Sequence, residues 1–386
     1  MLSWPLFAAM HRFHLLSAIL ACGAALFAQA PMPGTTKDDD AVLREGPKDP
    51  FTGGDPKWMK ALGIEAYAPL PWGDGLRSED VEKALGAGRF VWLETAHFRI
   101  CCSLGAIGAP EEPGARKLLN AELAKLNKRC SKVPARASKL TAWLRAHLAA
   151  HRAEELYAEI ADLVGFDAST GTHLGQKDKF LVVLFQKKSD LARYLDQFLG
   201  QQSTASQRQM HGKSGQRVVV MTAEGDEGPR DEASLHAQFR YLVVQMLLES
   251  GVRAPYWLAN GLAHHYERMV PCNLMMTAPK DDEHVDEATQ NKWHMKVRKR
   301  IQHEELVVPF THLATMTDFG YQGTIQAWSR VDWLMQQDRR KLGEFLRGLQ
   351  NGTGSANQIR QVEAVYGLSP EQFDQQWRAW VQKNYK

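Results

Sequence analysis

Between Leu235 and Glu267 the chain reads LHAQFRYLVVQMLLESGVRAPYWLANGLAHHYE, and this stretch limits the fold more than any other. Its first half sets Phe239, Val243, Met246 and Leu247 on one helical face. Gln238, Tyr241, Gln245 and Glu249, three and four residues apart, share the opposite face. After Pro255 a second helix spaces Asn260, His264 and Glu267 by four and three. The neighbours His264 and His265 point about 100° apart on such a helix, so one is expected inward and hydrogen-bonded and the other at the surface.

Pro255, Trp257, Leu258, Gly261, Leu262, Ala263 and Tyr266 stand in the places of a phrase that joins Pro, Trp-Leu, Glu-Gly-Leu-Ala and Tyr. On these residues the stretch resembles the gluzincin, or peptidase-MA-like, zinc peptidases. In that family one helix carries H-E-x-x-H, two imidazoles on one face with the Glu between them as general base, and the next helix supplies a carboxylate as third ligand. Counting back from Asn260, with Leu247 and Leu248 as the apolar pair after the second His, puts Tyr241 and Gln245 at the histidines. Leu242 then stands at the base and Asn260 at the third ligand. Tyr, Gln and Asn are poor zinc ligands at neutral pH, and Leu moves no proton. No H-x-x-x-H and no H-E pair lies between Asp231 and Glu249, and His236 is followed four residues later by Arg240, a cation.

The resemblance therefore implies a peptidase scaffold without its zinc chemistry. If the helices pack as in the family, Tyr241, Gln245, Asn260 and His264 meet at the former metal position as a hydrogen-bonding cleft. No catalytic residue, metal or cofactor is expected there. The first reading is an exported pseudopeptidase that serves as a binding or structural module for a peptide or cell-envelope component. A second is a hydrolase with a rebuilt site, in which His236, His264, His265, Glu249 or Glu267 recruit a metal. The third confines the resemblance to architecture and places the function elsewhere, for instance in the linker or the basic segment.

A chain of 386 residues, 44% hydrophobic, suffices for one large or two modest domains with a proper core. Its net charge of +3 is near neutral and its densest basic run, Lys296 to Arg300, is short. Nucleic acid is therefore not an expected partner, and the run reads as a solvated helix face. At the amino terminus Arg12 precedes the apolar run Leu15 to Phe27, which has the length of an export signal and is too short to span a bilayer. Residues 1–30 are read as this signal, with Met10 as an alternative start. Cleavage after Ala30 competes with a lipid anchor at Cys22 in a lipobox-like Ile19-Leu20-Ala21-Cys22. Cys101, Cys102, Cys130 and Cys272 allow disulfides in an exported chain, with Cys102–Cys130 the first expectation and buried free thiols the alternative.

The fold class expected is α+β: a small antiparallel or mixed sheet packed on a long helix and the helix pair, followed by an α-helical C-terminal subdomain. Residues 31–89, rich in Pro, Gly and Asp, read as a linker or surface-wrapping segment. The α+β domain spans 90–270 and the helical subdomain 271–386. Phe90 to Ile100 suits a strand, with His97 at its surface or edge, and Gly105 to Ala115 reads as a loop. The stripe Leu140, Trp143, Leu144, Leu148, Leu156, Ile160 and Leu163 predicts a long helix ended by Gly165. FLVVLF at Phe180 and RVVVMT at Arg217 read as buried strands, with a helix at Ser189 to Leu199 between them. His211 to Ser214 lacks the glycine and leading strand of a phosphate loop and reads as a turn. His284, His294 and His303, ten and nine apart, fit no metal signature and read as solvated. Helices are expected at Tyr321 to Gln337, at Lys341 to Leu349, and from Ser369, which caps a start with Pro370 at the first position.

Overall fold

A computed structural model describes residues 48–202, 207–212, 214–225, 228–251, 253–272, 292–317 and 320–386. The predicted signal at 1–30, the anchor at Cys22, the first part of the linker and His284 lie outside these residues.

The protein is α+β. Six strands form one mixed sheet: β1 (Ala66–Tyr67), β2 (Val91–Glu94), β3 (Phe98–Cys102), β4 (Phe180–Phe185), β5 (Gln207–His211) and β6 (Arg217–Thr222). Their spatial order is β1-β2-β3-β4-β6-β5. The central β3, β4 and β6 run parallel, and the outer strands are antiparallel to their neighbours. Every residue of β4 is buried, as its uninterrupted apolar run requires. Phe180, Val182 and Leu184 enter the main core, whereas Leu181, Val183 and Phe185 enter a second one with Trp72, Trp92 and Tyr194. Successive side chains point to opposite faces, so one run of six residues anchors both layers.

The helices are α1 (Pro56–Leu62), α2 (Ser78–Leu85), α3 (Pro113–Arg129), α4 (Ala142–Val164), α5 (Lys188–Leu199), α6 (Glu232–Gly251) and α7 (Tyr256–Glu267). They continue with α8 (Trp293–Arg300), α9 (Phe310–Leu313), α10 (Tyr321–Gly348), α11 (Ser355–Tyr366) and α12 (Pro370–Asn384). Helix α4 starts where the Thr141 hydroxyl accepts from the Leu144 amide and ends at Gly165 in the left-handed region. Ser369 and Gln372 form the capping box that opens α12. Asp338 breaks α10 with extended backbone and caps Arg340 and Lys341 with its carboxylate, so the two segments expected there share one run. Helix α7 lies in the core between α6 and α10. A Cβ on Gly261 would stand 2.8 Å from the Ala327 carbonyl oxygen of α10, so this crossing admits glycine alone without a shift. Among the described residues no helix is long and apolar enough to cross a membrane.

Four expectations change. The strand read from Phe90 to Ile100 is a hairpin: it turns at Thr95, whose amide donates to the Phe98 carbonyl and whose hydroxyl donates to Glu154. The expected loop at Gly105 to Ala115 gives way at Pro113 to α3, a 17-residue helix with Pro at its start. Of the segment read as a linker or surface-wrapping stretch, the described residues 48–89 are folded into the domain, since β1 adds an edge to the sheet and Asp49 is buried beneath α4. No disulfide joins Cys101, Cys102, Cys130 and Cys272, and all four are buried as thiols. Cys102 lies in the middle of the sheet, where burial pushes its thiol up to about 11, and Cys130 ends α3 with its sulfur 3.8 Å from the Phe51 carbonyl. The expected Cys102–Cys130 bridge does not form, although both thiols lie in the main core, Cys102 closing β3 and Cys130 ending α3.

Candidate functional site

Pro255 sets the entry of α7, its carbonyl accepting from the amides of Leu258 and Ala259. That start fixes the rotation of α7 and presents Asn260 and His264 to α6. Tyr241 is 7% exposed, Asn260 4%, His264 1% and Glu267 0%. The Asn260 amide Nδ2 donates to the Tyr241 hydroxyl at 3.1 Å, so two positions that the alignment equates with metal ligands touch each other. Leu242, at the base position, is buried in the core, and Gln245 is half-buried one turn further along α6.

His264 Nδ1 lies 2.7 Å from Glu267 Oε2, and its ring meets that of Tyr241 at 4.7 Å. Trp293 of α8 closes the other side, edge-on to His264 at 4.9 Å. Behind it the Arg268 guanidinium sits 4.3 Å from the Trp293 ring and 5.0 Å from that of Trp328. Asn260 Oδ1, Gln238 Oε1 and Trp293 Nε1 are buried without a hydrogen-bond partner. Burial, and then the negative charge of Glu267, hold the Tyr241 phenol far above its ordinary pKa. The junction thus offers a neutral phenol and an uncharged amide where a zinc site needs imidazoles and a carboxylate.

The other candidate residues are distributed rather than gathered. His265 faces Asp332 at 3.3 Å, while His264 turns inward, so the two imidazoles diverge as their spacing requires. His236 lies on another side of α6, 3.5 Å from Glu122 of α3. Glu249, near the end of α6, accepts from Arg217 of β6 at 3.0 Å. Among the described residues no three or more His, Cys, Asp or Glu are arranged to hold a metal ion. His303 is exposed beside Glu305, and His294 packs edge-on against Tyr385. In the basic run, Lys296 bonds the Tyr321 hydroxyl and Arg300 the Gln322 side chain, so part of that face is packed on α10.

Two polar groupings were not foreseen. The carboxylate of Glu154 accepts from the Thr95 hydroxyl and the His97 amide and lies 2.7 Å from His97 Nδ1, while the imidazole stacks on Tyr157 at 3.6 Å. Burial opposes the charge on Glu154, but the bonds from His97 and Thr95 outweigh it and keep the carboxyl below its usual range. The second grouping is a buried ion cluster. Arg152 bonds Glu122 at 2.8 Å and Glu232 at 2.8 Å, and Arg145 bonds Glu232 at 3.1 Å. A signal for it was present, since Arg145 and Arg152 are seven apart and share a face of a helix that otherwise reads as apolar.

Tyr241→Phe is expected to cost about 1–3 kcal/mol, because it leaves the buried Asn260 Nδ2 without its acceptor. Urea denaturation with an unchanged m-value measures it. A variant as stable as the wild type would mean that Asn260 finds another partner.

Compared with the known family models and with curated proteins, the chain matches none of them.

Proposed function

We propose that the chain is an exported, non-catalytic member of the gluzincin-like scaffold that acts as a binding or structural module, with a peptide or a cell-envelope component as its partner. The observation that carries this reading is the bond between Asn260 and Tyr241. The alignment equates both with zinc ligands from consecutive helices, and side chains in those positions should converge if the helix pair keeps the peptidase arrangement. Their chemistry has changed from ligand to mutual hydrogen bonding, and the base position is an apolar core residue. A neutral, desolvated junction of this kind neither polarises a carbonyl nor activates a water.

The register can be tested by restoring it. Tyr241→His, Leu242→Glu, Gln245→His and Asn260→Glu together are expected to create a 1:1 zinc site of micromolar affinity or better, read by calorimetry. The wild type should bind none at these positions. A quadruple variant that folds, judged by circular dichroism, and still takes up no zinc would refute the alignment and the reading with it.

A further inference from the structure

Helices α4 and α6 meet under β4 around a small, partly open cavity of about 20 Å³. Leu184 and Phe239 form part of its wall, but Arg145, Arg152, Glu232 and His236 also line it. Arg145 and His236 are each 3% exposed, and two of their atoms, Arg145 Nη2 and His236 Nε2, have no hydrogen-bond partner. A water needs roughly 10–15 Å³ and about two to four polar partners to reside in a protein interior. The wall is mixed, and the two nitrogens without partners are what a water there would bond.

We propose that one water resides in this cavity, accepting a hydrogen bond from Arg145 Nη2 and bonding His236 Nε2, and that this contact is the acid-sensitive point at which α6 is held to α3 and α4. The water completes two groups that the fold leaves unmatched. Each unmatched buried group would otherwise bear its full desolvation penalty, whereas a bridging water is nearly as good as a direct bond.

The acid sensitivity follows from what faces His236. Helix α4 presents Arg152, with His151 beside it, and α6 itself carries Arg240. The carboxylates present are Glu122 of α3, 3.5 Å from His236 Nε2 but bonded by Arg152, and Glu232 of α6, bonded by Arg152 and Arg145. A proton on His236 would add a third cation to two arginines that two carboxylates now balance. Burial first, and then the neighbouring arginines, hold this imidazole neutral well below its ordinary value.

The sign follows from linkage. The unfolded chain takes up a proton at this position near the ordinary value of 6.5, and the folded chain does so only at lower pH. The contribution is therefore complete above pH 6.5 and is lost as pH falls below it, with up to about a tenfold rise in the unfolding constant per pH unit. His236→Gln removes the titration yet keeps a polar end for the water. Denaturation of the full chain between pH 8 and pH 5, on the order of three units, is expected to show this extra dependence in the wild type and not in the variant. A high-resolution crystal structure should show solvent density within about 3.2 Å of both nitrogens. If His236→Gln fails to fold, nitrogen NMR of the wild type replaces it, with a neutral His236 imidazole expected at pH 6. An empty cavity, equal pH dependence in the two chains, or a charged imidazole at pH 6 would each overturn the proposal.

Discussion

Arg152→Ala is expected to lower the unfolding free energy by about 3–5 kcal/mol, the range seen when one partner of a buried ion pair is removed. Arg152 bonds Glu122 of α3 through Nε and Nη2 and Glu232 of α6 through Nη1, and all three side chains are almost fully buried. Burial alone would depress the guanidinium, but the two carboxylates outweigh it and raise its pKa above the ordinary value. Without it, two carboxylates remain in the interior, with Arg145 on Glu232 and the His236 imidazole 3.5 Å from Glu122. Because domains of this kind are stable by only about 5–15 kcal/mol, a loss of this size should be visible as a lower denaturation midpoint. Adding Glu122→Gln to the variant should recover part of the loss by removing one unpaired charge. A loss under about 1 kcal/mol would mean that water reaches the cluster and screens it.

Asp49→Ala is expected to be comparably severe, about 3–5 kcal/mol, for a different reason. The Asp49 carboxylate accepts from the Phe51 amide at 2.8 Å, the Thr52 hydroxyl at 2.8 Å and the Tyr67 hydroxyl at 2.6 Å. His147 Nε2 lies 2.9 Å from the same group. Burial works against its charge, but the bond and attraction of His147 and the bonds from Tyr67 and Phe51 prevail, so the carboxyl stays far below its usual range. A depressed carboxyl stabilises the fold fully above its unfolded value of 3.8 and ceases to do so as pH falls below it. Wild-type acid denaturation should therefore include a component below pH 3.8 that Asp49→Asn lacks. Identical acid limbs for the two chains would show that the ionised carboxylate is dispensable.

The parts of the fold that sequence displays are those with a local period. The stripe along α4, the apolar runs of β4 and β6 and the start of α12 at Ser369 are set by neighbours within a few residues. Asp49 shows the opposite case: its partner His147 is 98 residues away, and nothing in a Pro-, Gly- and Asp-rich segment marks which of its acids will be buried. Helix α3 was obscured because Pro113 reads as a breaker when seen from the Gly/Pro stretch before it, although the same residue is a good first helical position.

At the candidate site, counting back from Asn260 pointed to Tyr241, and the two side chains share a hydrogen bond. The partner of Glu249 was not legible, because helix periodicity says which face a side chain occupies and not which strand will meet that face. Arg217 of β6 reaches it first. Trp293 was missed for a similar reason, since it reaches His264 from a helix that begins 26 residues after α7 ends.

The close approach at Gly261 bears on how such phrases persist. Trp257 is fixed by its bond to Gln358, and Leu258, Leu262 and Ala263 fill the interior around the crossing with α10. These letters of the phrase are thus tied to the crossing and to the interior around it. Mutations that erase a reaction leave those ties untouched, whereas mutations that alter the letters damage the fold itself. The phrase therefore reports on a shape that the chain must keep and says nothing of what the chain does.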